Sequence, residues 1–526
     1  MNTLRILFHM ARADFFERTR RYSFLVMLGL VVWLGYLSAT GALVMSVPPH
    51  YVGEVNSPWV GALMTVTVTF FLGWFGFYLV KGSVARDYET GVGQIIATTP
   101  LSRPLYALGK WLSNFGVLGV MVVILMFAGI AMNHFFGSAP LDLWALVAPL
   151  LFLALPCMAV VAALAVLFET ISWLRGGFGN IVYFFLFIMA LVPGFETEPY
   201  QPLLDLTGFR LIGDRIAEAA KLAYPESEGG FAFQIVTAAT EVNYFLYNGI
   251  EWTAGILLPR LAFIAIAIGL AALAALFFDR FNTPKVLRGK KRINPDPARA
   301  SASESSLLPS FHLTPLSNAR RFRFGALYLA ELKLLLKERR WWWYLVSLGL
   351  FIAQLSVPLE ETTFFLAIAW LWMILLMSAL GSREALHNTS EIVFSAPRPT
   401  LNQLPAAWLA AFTVTALMGS GASLRHLLEG DFARLLAWTS GALFIPSLAL
   451  ALGVLTYSRK PFEVIYMTWM YLILNAVPPL DFVGVTPESP WKFYTLSAFA
   501  LFALATFSRH WQLTGARLMR NGTCTG

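Results

Sequence analysis

Residues 107–133 read ALGKWLSNFGVLGVMVVILMFAGIAMN and carry no charge after Lys110. Wound as an α-helix, this stretch rises about 40 Å, more than the roughly 30 Å hydrocarbon core of a bilayer. The flanking runs at 59–81 and 143–168 are equally apolar. A chain that repeats this pattern has lipid, not water, as the solvent for most of its helices. The composition agrees: 57% of the residues are hydrophobic and 13% charged, against about 25% charged in a soluble domain.

Working outward from that run, twelve spans are expected. In the first half they lie near 22–46, 59–81, 107–133, 143–168, 179–195 and 255–278. In the second half they lie near 341–357, 363–381, 403–420, 433–456, 463–480 and 493–508. The spans near 179–195 and 341–357 are short. Arg5, Arg12, Arg18, Arg20 and Arg21 punctuate the first 21 residues, which read as an amphipathic segment on the cytoplasmic face. The apolar run after it has no cleavage site and is expected to stay as a helix.

The net charge of +8 would suggest a nucleic-acid partner in a soluble protein. Here the basic residues fall between apolar runs, so the positive-inside bias accounts for them and no nucleic acid is expected. Arg86, Arg103, Arg175, Arg459, Lys460, Arg509, Arg517 and Arg520 all fall on the side of the N-terminus, whereas the 47–58 loop has no basic residue. Both termini are therefore expected to be cytoplasmic. Cys157 sits in an apolar run and Cys524 in the tail; neither a disulfide framework nor a cysteine metal site follows.

Two polar segments interrupt the spans. Residues 196–251 hold nine acidic and three basic residues on the outer side, a place for an extracytoplasmic partner. Within them Leu211, Ile212, Ile216, Ala219 and Leu222 have the spacing of a helix lying on the membrane. Residues 279–324 hold ten basic and three acidic residues, and Pro295 to Pro309 is rich in Ser, Ala and Pro. This reads as a flexible cytoplasmic linker, giving a first unit at 1–280, a linker at 281–322 and a second unit at 323–526.

The loop before the opening stretch recurs. With Arg86 on Arg383 and no gaps, Ile95/Ile392, Pro100/Pro397, Trp111/Trp408, Leu112/Leu409 and Phe115/Phe412 coincide, and Asp87/Glu384, Ile96/Val393 and Thr98/Ser395 are similar. The runs Tyr22–Leu30 and Trp342–Leu350 both end in Leu-Gly-Leu after a basic amphipathic stretch. The expected fold is thus all-α integral membrane: twelve transmembrane helices as two parallel six-helix repeats, each with an amphipathic interfacial entry helix. Repeats of this kind are typical of transporters that alternate access around the repeat interface.

The stretch from Arg86 to Lys110 resembles the signature loop of type-2 ATP-binding-cassette (ABC) permeases. The likeness rests on Arg86, Glu89, Gly91, Ile95, Ile96, Thr98, Pro100, Ser102, Arg103, Gly109 and Lys110, and departs at Thr90-Gly91, where the family has Gly then Thr. The second copy keeps Arg383, Glu384, Glu391, Ile392, Val393, Ser395 and Pro397 and lacks the Ser-Arg and Gly-Lys elements. The resemblance implies a permease, an exporter of a bacterial inner membrane, whose cytoplasmic loops dock on two separate ATPase subunits; ATP and Mg belong to those subunits. The residues suit such docking. Arg86, Asp87, Glu89 and Gln94 offer polar contacts, Ile95 and Ile96 an apolar knob, and Pro100 stops the short helix. An ordinary solvated loop that satisfies the positive-inside bias is the alternative reading.

No phosphate-binding loop is encoded: Gly109-Lys110 is followed by Trp and Gly289-Lys290 by Lys. A twelve-helix secondary transporter of the major-facilitator kind is the rival architecture. A membrane enzyme lacks a convergent His, Asp or Ser constellation. Phe184, Phe185 and Phe187 could line a gate or simply pack. Trp341, Trp342 and Trp343 read as an interfacial aromatic belt, and Glu169, Glu463 and Asp481 as helix-end acids. His387 and His426 are isolated, so no metal is assigned.

Overall fold

The computed structural model describes residues 3–40, 43–48, 51–192, 200–227, 232–235, 243–279, 281, 323–337, 339–396, 398–475, 477–486 and 489–522. The chain divides into two compact units, Met1–Phe281 and Asn282–Gly526. Phe281 packs on Tyr88 and Tyr106, so it belongs to the first unit rather than the linker. The rest of the expected linker, with Lys290, Lys291 and Arg292, lies outside the described residues, as do Pro397 and parts of the 196–251 segment.

The first unit begins with α1 (Thr3–Thr19) and α2 (Tyr22–Ala39), which meet at 76°. Strands β1 (Leu43–Ser46) and β2 (Tyr51–Gly53) follow, then α3 (Ser57–Val80), α4 (Ser83–Glu89), α5 (Val92–Thr98) and α6 (Arg103–Phe136). Helix α7 (Leu143–Pro149) runs through a π-helical turn at Leu150–Ala154 into α8 (Leu155–Thr170). Pro149 and Pro156 bracket that turn; each removes a backbone donor, and the wider ladder accommodates the gap. Helices α9 (Gly177–Leu191) and α10 (Phe209–Ala223), strands β3 (Ala232–Ile235) and β4 (Asn243–Phe245), and α11 (Ala254–Phe277) complete the unit.

Helix α3 is its axis. The Asn56 side chain accepts the Trp59 amide at 2.9 Å and starts it. Thr65, Thr67 and Thr69 are buried but return their hydroxyls to the carbonyls of Gly61, Leu63 and Thr65 at 2.7, 2.8 and 2.9 Å. This lets polar side chains sit in an apolar surround. At Gly61 a Cβ would stand 2.6 Å from the Leu146 carbonyl, so glycine sets the close approach of α7. Alanines do the same for α8 and α11: Ala159, Ala163 and Ala267 meet around Phe263.

The second unit comprises α12 (Phe324–Lys337), α13 (Trp341–Ser356), α14 (Leu359–Trp372), α15 (Ile374–Met377), α16 (Arg383–Leu386), α17 (Ser390–Val393), α18 (Pro399–Met418), α19 (Ser420–Leu428), α20 (Phe432–Thr456), α21 (Lys460–Leu474) and α22 (Trp491–Gly522). Trp370 is its hub: the indole N–H donates to the Thr415 carbonyl at 3.1 Å, and the Trp370 carbonyl accepts the Tyr466 hydroxyl at 2.9 Å. Asp481 is fully buried and accepts the amides of Val483, Gly484 and Thr486, so it organises the turn before α22.

Among the described residues, seven helical stretches are long and apolar enough to cross a membrane: Ser57–Glu89, Arg103–Phe136, Leu143–Thr170, Ala254–Phe277, Leu359–Met377, Pro399–Met418 and Phe432–Thr456. The protein is a helical one with several candidate membrane spans. One expectation needs correction. The run 22–46 is not one helix: α2 ends at Ala39, and Leu43–Ser46 pairs antiparallel with Ala232–Ile235 as β1–β3. The fold is therefore not purely helical, since β2 also pairs, in parallel, with β4. Helix α10 buries Leu211, Ile212, Ile216 and Ala220, while Leu222 is exposed.

Candidate functional site in the loops at 83–98 and 383–393

The first loop is built from beneath. Gly82, at φ +106°, turns the chain out of α3 into α4, a conformation that only glycine adopts readily. The Glu169 carboxylate, at the end of α8, then accepts the amides of Gly82, Ser83, Val84 and Ala85 at 2.5, 2.9, 2.5 and 3.1 Å. One anion thus satisfies the orphan donors of the first turn. Arg175 donates to the Glu169 carbonyl at 2.8 Å and lies over the Tyr88 ring. Gly91, at φ +74°, separates α4 from α5.

A buried charge cluster ties this loop to the entry helix. Lys110 lies 2.7 Å from both Asp87 and Asp14, and Asp87 accepts the Tyr106 hydroxyl at 2.7 Å. Arg86 pairs with Glu17 and stands 3.8 Å from Asp14. Gly109 faces Met10 and Leu7 of α1, where a Cβ would collide with the methionine. The Gly109-Lys110 pair therefore has a local purpose: the glycine admits α1 and the lysine neutralises two carboxylates. Gly93 lies against the Phe281 ring in the same way.

Arg86 and Asp87 accordingly point into the protein, as a half-buried and a buried residue. Glu89, Gln94, Ile95 and Pro100 point outward, and Ile96 is half-buried. Ile95 is 67% exposed, an unusual place for an isoleucine next to a charged loop.

In the second loop Arg383 lies 3.1 Å from Glu331 of the entry helix α12, and Glu384 accepts the Gln403 amide at 2.8 Å. Burial pushes the Glu331 carboxyl up from its ordinary value, while Arg383 beside it pulls it down. Asn388, at φ +53°, separates α16 from α17. Glu391 and Ile392 point outward, Ile392 being 76% exposed. Arg509 of α22 stands 3.9 Å from Glu384 and donates to the Gly381 carbonyl at 2.6 Å.

The aromatic trio shares no site. Phe184 and Phe187 pack on Trp74 at 5.3 and 5.5 Å between centroids, whereas Phe185 is exposed. Of the three tryptophans, Trp341 is exposed, Trp342 meets Trp372 edge to face and Trp343 is buried.

Sequence reading also missed a fully buried ion pair. Arg260, near the start of α11, and Asp205 are both almost fully buried and 3.3 Å apart. Arg260 also donates to Tyr200 at 3.1 Å, and Asp205 accepts the Leu211 amide at 3.2 Å. An arginine inside an apolar run was the available signal. No family model, curated protein or solved structure matches this chain.

Proposed function

We propose that this chain is the membrane-spanning permease of a type-2 ABC transporter, an exporter in a bacterial inner membrane with both termini in the cytoplasm. Two six-helix repeats would contribute twelve spans, and two separate ATPase subunits would supply ATP and Mg chemistry at the 83–98 and 383–393 loops.

The observation that carries this reading is the recurrence of local geometry in the Arg86/Arg383 register. In both units the arginine pairs with a carboxylate of the entry helix. The next residue is an acid that accepts a hydrogen bond from Tyr106 or Gln403. Left-handed Gly91 and Asn388 coincide, as do exposed Ile95 and Ile392. Trp111 stacks on Phe115 at 5.9 Å and Trp408 on Phe412 at 5.7 Å; each indole donates to the following long helix, at Ala159 and Ser447. The donors and the stacked rings are among the sequence identities; the acceptors Ala159 and Ser447 are not, and both lie on the helix that follows in each unit, which supports common descent of the two units. An apolar side chain held out on a rigid two-helix loop suits insertion into a cleft of a soluble subunit. The 76° angle between α1 and α2 suits an entry helix lying in the interface.

The test is co-purification of the full chain with an ATPase subunit encoded beside it, with Ile95→Asp and Ile392→Asp combined. Loss of the complex with an unchanged melting temperature is expected; full retention overturns the docking role. Gradient-driven transport by the chain alone, with no ATPase, would instead favour the twelve-helix secondary transporter.

A further inference from the structure

A small cleft opens where the end of α1 and the start of α2 meet the end of α3 and the middle of α6. Its ≈ 300 Å³ includes the open mouth, and the space inside takes one oxygen-sized group, so a single phosphate oxygen can enter. Its rim is cationic, with Arg18, Arg21, Lys81 and Arg86, while Phe24 and Val117 form an apolar wall.

The charges are unequally satisfied. Glu17 serves both Arg21, at 2.8 Å, and Arg86. Lys81 is held by Asn180 and by the carbonyls of Leu174 and Gly176. Glu169 is occupied by backbone amides. Among the described residues Arg18 has no carboxylate in contact: it is 6% exposed, its Nη1 reaches the Val80 carbonyl at 3.4 Å, and its buried Nη2 has no hydrogen-bond partner there. Burial lowers the Arg18 pKa more than Asp14 and Glu169 raise it. A buried guanidinium edge without an acceptor is costly and calls for an anion.

We propose that this cleft binds the phosphate of an anionic phospholipid, with the Arg18 Nη2 edge and the Arg21 side chain as donors. The apolar wall selects a lipid over free phosphate. Phe24 and Val117 belong to α2 and α6, and the neighbouring α2 surface is apolar and exposed at Leu25, Val26 and Trp33. An acyl chain can descend along that surface while the headgroup meets the basic rim at the depth of the interfacial helix. Guanidinium groups recognise phosphate with paired, charge-assisted hydrogen bonds, and basic pockets between span ends take anionic headgroups. The site needs no ATPase partner.

The test uses native mass spectrometry on the purified full chain with dioleoylphosphatidylglycerol, dioleoylphosphatidylcholine or inorganic phosphate. Preferential retention of one phosphatidylglycerol is expected, weakened about tenfold in Arg18→Gln and in Arg21→Gln, the loss of one charged hydrogen bond. Arg20→Gln, at an exposed residue of the turn between α1 and α2, is expected to bind as the parent does. Equal loss in Arg20→Gln would mean diffuse attraction and overturn the cleft. Unchanged retention in both Arg18→Gln and Arg21→Gln would also overturn it, and if Arg18→Gln fails to fold, half-buried Arg21 carries the comparison. Displacement of the lipid by millimolar phosphate, or binding of phosphate alone, would overturn the lipid assignment.

Discussion

Lys110 Nζ and Asp87 Oδ2 lie 2.7 Å apart, and the same ammonium lies 2.7 Å from Asp14, so one buried cation neutralises two carboxylates from different helices. The lysine is 2% exposed. Removing it leaves two anions in a poorly solvated place, which costs about 3–5 kcal/mol when a buried pair loses one partner. Lys110→Ala is therefore expected to lower the melting temperature of the purified chain clearly. Adding Asp87→Asn and Asp14→Asn should recover much of the loss. A Lys110→Ala chain that melts with the parent would mean that the cluster is solvated.

Glu169 acts on the same loop from the other side. Its two oxygens accept four amides at the start of α4, and no other carboxylate is in contact there among the described residues. In Glu169→Gln one acceptor becomes an NH2 group facing N–H donors, a change worth about 1–3 kcal/mol. Because the donors belong to one short helix, the effect should be local. Amide exchange at residues 83–89 is expected to accelerate by about tenfold or more, with α3 and α8 keeping their protection. Exchange rates unchanged at 83–89 would remove Glu169 from this role.

These two anchors explain how far sequence reading reaches. Apolar runs marked the helices well: 433–456 was expected and Phe432–Thr456 is found, 59–81 expected and Ser57–Val80 found. The run 22–46 failed because Leu43, Val44 and Met45 continue its hydrophobicity while forming a strand edge; apolarity alone does not separate a span from a buried strand. The loop residues were legible in position but not in direction. Arg86 and Asp87 look solvated in a polar stretch. Their partners Asp14, Glu17 and Lys110 lie far off in the chain, and such pairing leaves no periodic trace in one sequence. Ile95 and Ile96 were expected to form one apolar knob; Ile95 does point outward, but Ile96 is half-buried, because adjacent residues of a short helix face different sides.

Asp205 and Arg260 supply a comparison of paired and unpaired burial. Both side chains are at most 2% exposed, and Arg260 Nη1 also reaches the Asp205 carbonyl. Either Arg260→Met or Asp205→Asn alone strands a buried partner. Arg260→Met is expected to be the more damaging, by about 3–5 kcal/mol, because it also frees the Tyr200 hydroxyl and the Asp205 carbonyl. The double variant should be less destabilised than the sum of the singles. Strict additivity in thermal melts would show that the two charges do not interact.

His426, in α19 between two longer helices, gives a pH signature. It is 1% exposed, and its buried Nδ1 has no hydrogen-bond partner among the described residues. Burial lowers its pKa; Asp431 opposes this, while Arg434 and Arg425 add to it. The neutral ring is thus favoured in the folded state. The unfolded chain binds a proton at about pH 6.5, before the folded chain does, so stability falls as pH drops below that value and is fully present above it. The parent protein is expected to lose melting temperature between about pH 6.5 and 5 more steeply than His426→Gln, with the two curves parallel above pH 7. The substitution leaves every other titrating group in place, so the difference between the curves isolates this ring. Parallel curves across the whole range would mean that His426 titrates with its ordinary pKa and is open to water.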